Sequence, residues 1–181
     1  MTGVDLSPFL LKIARDKAQE QKLDLELIEG DMREIKVGNF DSITTIFNAI
    51  GHLTKADFER GIRNIHRNLK VGGLYVFDIF NLNAMTDDTV KNLEMGVKKT
   101  VNDTKIYHVQ SSKINRENGH LTSSDCFVLQ KGCSKPKVFK DKFTLQIYTA
   151  EELREILVRN GFKVLGQYGI DGSKLLEHKT R

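Results

Sequence analysis

Met1-Thr-Gly-Val-Asp-Leu-Ser-Pro8 reads as the end of a strand followed at once by the start of a helix. Val4 and Leu6 flank Asp5 in a short extended pattern. Ser7 is a hydroxyl N-cap, and Pro8 takes the first helical position, where no N–H is needed. An acid at the carboxyl end of a strand, just ahead of a helix, is where open α/β sheets hold a ribose. The glycine-rich turn that should come before such an acid is nowhere in the sequence.

Outward from this stretch, strand and helix alternate. Leu11, Ala14 and Ala18 recur at helical spacing to about Gln21, and Leu25, Leu27 and Ile28 form a short strand that ends at Gly30-Asp31. Phe40 to Phe47 is rich in β-branched residues with little polar alternation, which predicts a parallel strand covered on both faces. Thr54 with Asp57 resembles a capping box. Phe58, Ile62, Ile65 and Leu69 then form one helical face, and Gly72-Gly73 supplies the stop. Leu74 to Phe80 is a fourth buried strand, so the first part of the chain predicts a parallel, doubly wound sheet.

The middle changes character. Ile106 to Ile114, Leu121 to Leu129 and Val138 to Tyr148 are long β-rich runs, separated by a turn at Asn118-Gly119 and a loop through Pro136. They predict an antiparallel meander. Thr149-Ala-Glu-Glu152 is a second capping box, Asn160-Gly161 ends the helix it starts, and Phe162 to Tyr168 predicts another strand.

At 181 residues, with 39% hydrophobic and 29% charged, the composition is that of one soluble globular domain. It lacks an apolar run long enough to span a membrane and the order of a signal peptide, which predicts a cytoplasmic protein with no membrane partner. Cys126 and Cys133 form no C-x-x-C pair, so they read as free structural thiols, with no metal site. Of the net charge of +4, Lys98 to Lys142 holds ten Lys/Arg against four Asp/Glu, and the remainder of the chain is slightly acidic. Sparse aromatics in that basic stretch (Tyr107, Phe127, Phe139, Phe143) fit strand packing and a solvated face better than nucleic-acid binding.

Taken in order, Thr2 to Pro8, Gly30-Asp31-Met32, Phe40-Asp41-Ser-Ile43, Leu69-Lys-Val-Gly-Gly-Leu-Tyr-Val-Phe-Asp-Ile79 and Tyr148-Thr-Ala-Glu-Glu-Leu153 with Asn160-Gly-Phe162 resemble successive motifs of the class I S-adenosylmethionine-dependent methyltransferases. The basic meander is similar to the antiparallel insert of a small-molecule subgroup. The resemblance implies an α/β fold with a Rossmann-like, doubly wound, mostly parallel sheet. It implies one domain, with a core of residues 1–90 and 149–181 and a β-meander insert of 98–148. The implied cofactor is S-adenosyl-L-methionine and the implied activity is methyl transfer to an N or O nucleophile of a small molecule. Asp5, followed by Leu6, matches the acid that binds both ribose hydroxyls. Asp31 matches the acid that takes the adenine amino group, with Met32 covering the ring. Phe47 matches the backbone that meets the methionine part of the cofactor, and Asn48 faces the substrate. Asp78 either faces the substrate or caps the following loop, Tyr148 points toward the site or packs, and His52 is the candidate base or substrate contact in the pocket. His66, beside an apolar helix face, reads as structural.

The departures from the pattern carry expectations of their own. The family begins with a strand, a G-x-G loop and a helix, where glycine lets the backbone approach the cofactor. Without them, and with Lys179-Thr-Arg181 standing where a last apolar strand would follow, the sheet is incomplete at its N-terminal strand and helix. Unpaired buried edges are costly. The sequence therefore predicts a truncated chain with impaired cofactor binding, or a homo-oligomer in which another copy supplies the missing strands. Two other readings stay open: a non-catalytic methyltransferase-like binding module, and an RNA-modifying enzyme.

Overall fold

The computed structural model describes residues 1–174; the tail 175–181, which the sequence assigns to the core, lies outside the described residues. The chain divides into two compact units. The first comprises Met1–Thr44, Ala56–Val76 and Ile156–Lys163, and the second comprises Thr45–Lys55, Phe77–Glu155 and residues from Val164 onward.

In the first unit, β1 (Thr2–Asp5) pairs in parallel with β2 (Glu26–Glu29), Thr2 opposite Glu26 and Asp5 opposite Glu29. The crossover is α1 (Pro8–Glu20), started by Ser7, whose Oγ accepts from Leu10 N at 3.3 Å. β3 (Phe40–Thr45) and β4 (Leu69–Phe77) form a separate two-stranded sheet. Helix α2 (Lys55–Asn68) buries Phe58, Ile62 and Ile65. Its two buried amides tie down the loop after β2. Asn64 Nδ2 donates to Met32 O (3.1 Å) and Ile35 O (2.7 Å), while Asn68 donates to Ile35 O (3.0 Å) and accepts from Val37 N (2.9 Å). Buried polar groups persist when they are satisfied in this way.

Several sequence expectations are corrected here. β3 stops at Thr45, short of Phe47, and neither β3 nor β4 is covered on both faces: Val71, Leu74 and Val76 are exposed. Among the described residues no further strand pairs with this two-stranded sheet. Gly72-Gly73 does not stop α2. The helix ends at Asn68, and the glycines lie within β4, Gly72 at φ +80°.

The second unit is built around a four-stranded antiparallel sheet in the order β5 (Met95–Val101), β6 (Thr104–Asn115), β7 (His120–Lys131), β8 (Lys137–Gln146). The meander expected from 98 to 148 is therefore present. It gains an edge strand, preceded by the short helix α3 (Asp87–Asn92), which Thr86 caps. β5 escapes notice in the sequence because every residue in it is exposed, so no apolar alternation marks it. The β6–β7 turn requires glycine at 119: its φ is +69°, and a Cβ there would lie 2.4 Å from Ile147 O. Met85, Val90, Leu121, Leu145 and Ile147 form the core at one end of the sheet.

Helix α4 (Ala150–Arg159) opens with a reciprocal capping box, Thr149 N to Glu152 Oε2 (2.9 Å) and Glu152 N to Thr149 Oγ1 (3.1 Å). It closes at Gly161, φ +91°, with Phe162 N donating to Leu157 O at 3.0 Å. The strand expected at Phe162–Tyr168 is not formed. Phe162 is a packing residue instead, edge-on to His66 at 5.2 Å and 6.0 Å from the Tyr75 ring. No helix among the described residues is long and apolar enough to cross a membrane.

Leu121 is 1% exposed in the core beneath the sheet. Leu121→Ala is expected to lower stability by about 2–5 kcal/mol, read as a shift of the urea midpoint at unchanged slope.

Candidate functional site

The predicted site residues fall into two groups, one in each unit. In the first, Asp5 is the last residue of β1, and its backbone carbonyl accepts from Gly30 N at 3.0 Å, which fixes it beside the end of β2. Asp5 Oδ1 accepts from Ser7 N at 2.7 Å, closing the turn into α1; Oδ2 has no hydrogen bond among the described residues. The carboxylate is exposed, as is Leu6. The strand-end position read from the sequence is the one observed.

Asp31 is committed elsewhere. Arg33 Nε donates to both carboxylate oxygens (3.0 and 2.9 Å), Arg33 Nη2 to Oδ2 (2.5 Å), and Arg33 N to Oδ1 (2.8 Å). Arg33 Nη1 also reaches Asp57 Oδ1 at 3.1 Å. A carboxylate offers about four lone-pair positions, and three N–H donors of Arg33 engage most of them. Hydrogen bonding to Arg33 holds the Asp31 carboxyl below the ordinary carboxylate range. Arg33 was missed by sequence reading, although a guanidinium two residues beyond a turn aspartate is a signal that could have found it. Met32 is half-buried, its carbonyl held by Asn64.

In the second unit, β3 runs out into two consecutive left-handed residues, Phe47 (φ 59°) and Asn48 (φ 54°). Phe47 is 90% exposed and Asn48 is buried. Such conformations cost non-glycine residues about 1–2 kcal/mol each, and the neighbouring hydrogen bonds hold them. Asp78 Oδ2 accepts from Asn48 N at 2.9 Å, Asn48 Oδ1 accepts from Phe80 N at 3.1 Å, and Asp78 N donates to Thr45 O at 3.3 Å. Asp78 thus caps the loop through Oδ2. Asn48 Nδ2 is buried with no hydrogen-bond partner among the described residues. Gly51, also missed, makes room for it, since a Cβ there would sit 2.5 Å from that nitrogen.

His52 ends the 3-10 turn Ala49–His52, exposed, its ring 5.9 Å from Phe143 at the foot of β8. Tyr148 is fully buried, which makes it a packing residue; Lys55 Nζ lies 5.8 Å from its ring centroid and 3.3 Å from Glu152 Oε1. The second unit thus brings together Phe47, Asn48 and Asp78, and separately His52 with Phe143.

This is the fold of the class I S-adenosylmethionine-dependent methyltransferases, and residues 1–73 match the family model described as a methyltransferase domain. A solved methyltransferase of Clostridium acetobutylicum, described as S-adenosylmethionine-dependent, superposes with a TM-score of 0.77 at 18% identity over 98% of this chain and 70% of its own. CalS10 of Micromonospora echinaspora, an amino pentose methyltransferase solved with S-adenosylmethionine bound, gives 0.73 at 19% identity over 96% of this chain and 70% of its own. A Geobacillus sp. (strain WCH70) protein with a provisional methyltransferase name is 31% identical over 87 residues, 47% of this chain. The aligned part spans about a third (35%) of that relative's length.

Because hydrogen bonding to Arg33 lowers the Asp31 pKa in the fold, the pair stabilises above the ordinary aspartate value of 3.8, and that stability is lost as pH falls through the lowered value. Arg33→Ala should return Asp31 toward 3.8 in a carboxyl carbon NMR titration and flatten the acid limb of the stability profile. Phe47→Gly should raise stability by about 1 kcal/mol in urea, because glycine accepts a positive φ without strain.

Proposed function

We propose that the chain forms a methyltransferase domain, with residues 98–148 as its insert, that transfers a methyl group from S-adenosylmethionine to an N or O nucleophile of a small molecule. The observation that carries this reading is Asp5: a strand-end carboxylate in a parallel βαβ unit, braced through Oδ1 and with no hydrogen bond to Oδ2 among the described residues. A charged, acceptor-only oxygen in that position suits a ribose hydroxyl. The buried, unpartnered Nδ2 of Asn48 supports a ligand beside Phe47, since an unsatisfied buried donor costs about 1–3 kcal/mol unless a ligand acceptor relieves it.

When bound, the cofactor supplies a methyl group on a sulfonium, already electrophilic. The protein's work is then alignment and exclusion of water. In the first unit Asp5 would hold the ribose; in the second, taken by itself, the Phe47–Asn48 backbone, pinned by Asp78, would present a fixed wall whose Asn48 Nδ2 has no hydrogen-bond partner among the described residues. His52 would sit beside the acceptor as hydrogen-bond partner or base. Asp31 would act by fixing Arg33 and the turn that carries Met32.

The open edges of β1 and β3 belong to the same proposal. Each strand pairs on one side only among the described residues, with Val4, Leu74 and Val76 exposed nearby. A strand from a second copy would pair these edges and cover those side chains.

Calorimetry with S-adenosylhomocysteine, run beside light scattering, tests both parts. The expected result is an oligomer that binds weakly, with Kd near about 1 mM or −4 kcal/mol, and loses at least about tenfold in affinity as Asp5→Asn. No heat from the folded protein would leave a non-catalytic binding module. A folded monomer would overturn the shared strand.

A further inference from the structure

The strand register sorts the side chains of the antiparallel sheet onto two chemically different faces. One carries Lys98, Lys105, Lys113, Lys140 and Lys142 and no acid. The other runs upward from the core residues Leu121 and Leu145; on it the acids Asp125 and Asp141 stand directly opposite each other, and Lys99, Lys131 and Lys137 follow in the rows beyond His108. A face continuous with a core is expected to stay apolar, because burying polar groups costs stability unless each is hydrogen-bonded. Here it turns polar one row above the core. Ser112 and Ser123 share a hydroxyl–hydroxyl bond of 2.9 Å, with Ser123 only 2% exposed, and Gln110 Nε2 approaches Ser123 Oγ at 3.5 Å. One row further, His108 Nε2 meets Asp125 Oδ1 at 2.6 Å, with side chains 17% and 10% exposed, and the His108 ring stacks on Phe127 at 4.1 Å and 4°.

This geometry fixes the imidazole twice, in its plane by Phe127 and in its rotation by Asp125. A carboxylate on Nε2 selects the tautomer with the proton there, so Nδ1 carries the lone pair. Nδ1 has no hydrogen-bond partner among the described residues. In the rows of His108 and Gln110, an oriented acceptor, an amide and two carboxylates suit donors such as hydroxyl and ammonium groups, and the paired carboxylates disfavour a phosphate between them, while Lys99 and Lys137 stand one row further on. From the row of Phe143, which touches His52, to the row of His108 and Phe139 is four residues along β8, about 14 Å.

We infer that His108, Asp125, Gln110 and Asp141 form a subsite for a polyhydroxylated amine, neutral or cationic, and that it holds the polar body of the methyl acceptor. The second half of this statement rests on the activity proposed above; the first does not, because every residue in it belongs to the second unit and needs no cofactor.

The test is NMR of the full chain labelled in its five histidines, titrated with glucosamine and, separately, with glucose 6-phosphate. The His108 ring signal, assigned by its loss in His108→Gln, should move with glucosamine at about 10 mM and stay still with the phosphate sugar. Asp125→Asn should weaken the response about tenfold, and Lys140→Ala/Lys142→Ala on the opposite face should leave it intact. No movement of the wild-type signal at about 100 mM glucosamine, or equal movement with both sugars, would overturn the subsite. Calorimetry with S-adenosylhomocysteine on His108→Gln keeps the two readings apart. Cofactor binding that persists while glucosamine binding is lost locates the loss in the subsite alone, and glucosamine binding without cofactor binding overturns only the activity.

Discussion

Backbone N–H and C=O groups along a strand edge have to find partners, and how each strand meets that demand governs the rest of this molecule. In the second unit the demand is met across three continuous antiparallel pairings, the longest joining twelve residues of β6 to twelve of β7. The ladder is strong enough that β5, with every side chain exposed, still pairs along its whole length. In the first unit it is met only in part. Two two-stranded sheets each keep one partner per strand, and apolar residues that a fuller sheet would cover stand in solvent. Other groups take on more of the work there. The buried amides of Asn64 and Asn68 bind loop carbonyls and an N–H, and Arg33 links Asp31 to Asp57.

What could be read from the sequence follows the same division. Local signals with a stereochemical cause were legible: Ser7-Pro8 starts α1, Thr149 and Glu152 form a reciprocal box, and Gly119 and Gly161 take the positive φ that their turns need. So was the meander, because alternation survives wherever one face meets a core. The failures occur where a residue's role depends on a neighbour distant in sequence. Phe162 looks like the start of a strand until His66 and Tyr75 claim its ring. Gly72-Gly73 looks like a helix stop, although the positive φ of Gly72 is taken up within β4 instead. Of the site, the position of Asp5 was legible because it depends only on the adjacent strand and helix. The engagement of Asp31 by Arg33 left a local signal that was passed over, whereas the pinning of Asn48 by Asp78 and Phe80 left none, since it joins residues 30 and 32 positions apart.

The basic stretch shows how alternation alone can misdirect a reading of charge. As a linear segment, Lys98 to Lys142 is strongly positive, and its net charge invites a search for polyanions. Folded, the period of two sends five lysines to one face without an acid, while the face that continues into the core receives His108 and both strand acids, Asp125 and Asp141, with Lys99, Lys131 and Lys137 in the rows beyond them. Net charge is a property of the segment, but a ligand meets a face. Lysines beside an open strand edge also deter pairing with other chains, which gives the outer face a sufficient role without a ligand. The inner face has no such role to explain its cost. Buried hydroxyls and a charge-assisted pair occupy positions where aliphatic side chains would extend the core, and that substitution makes sense where the polar groups are wanted for something they hold.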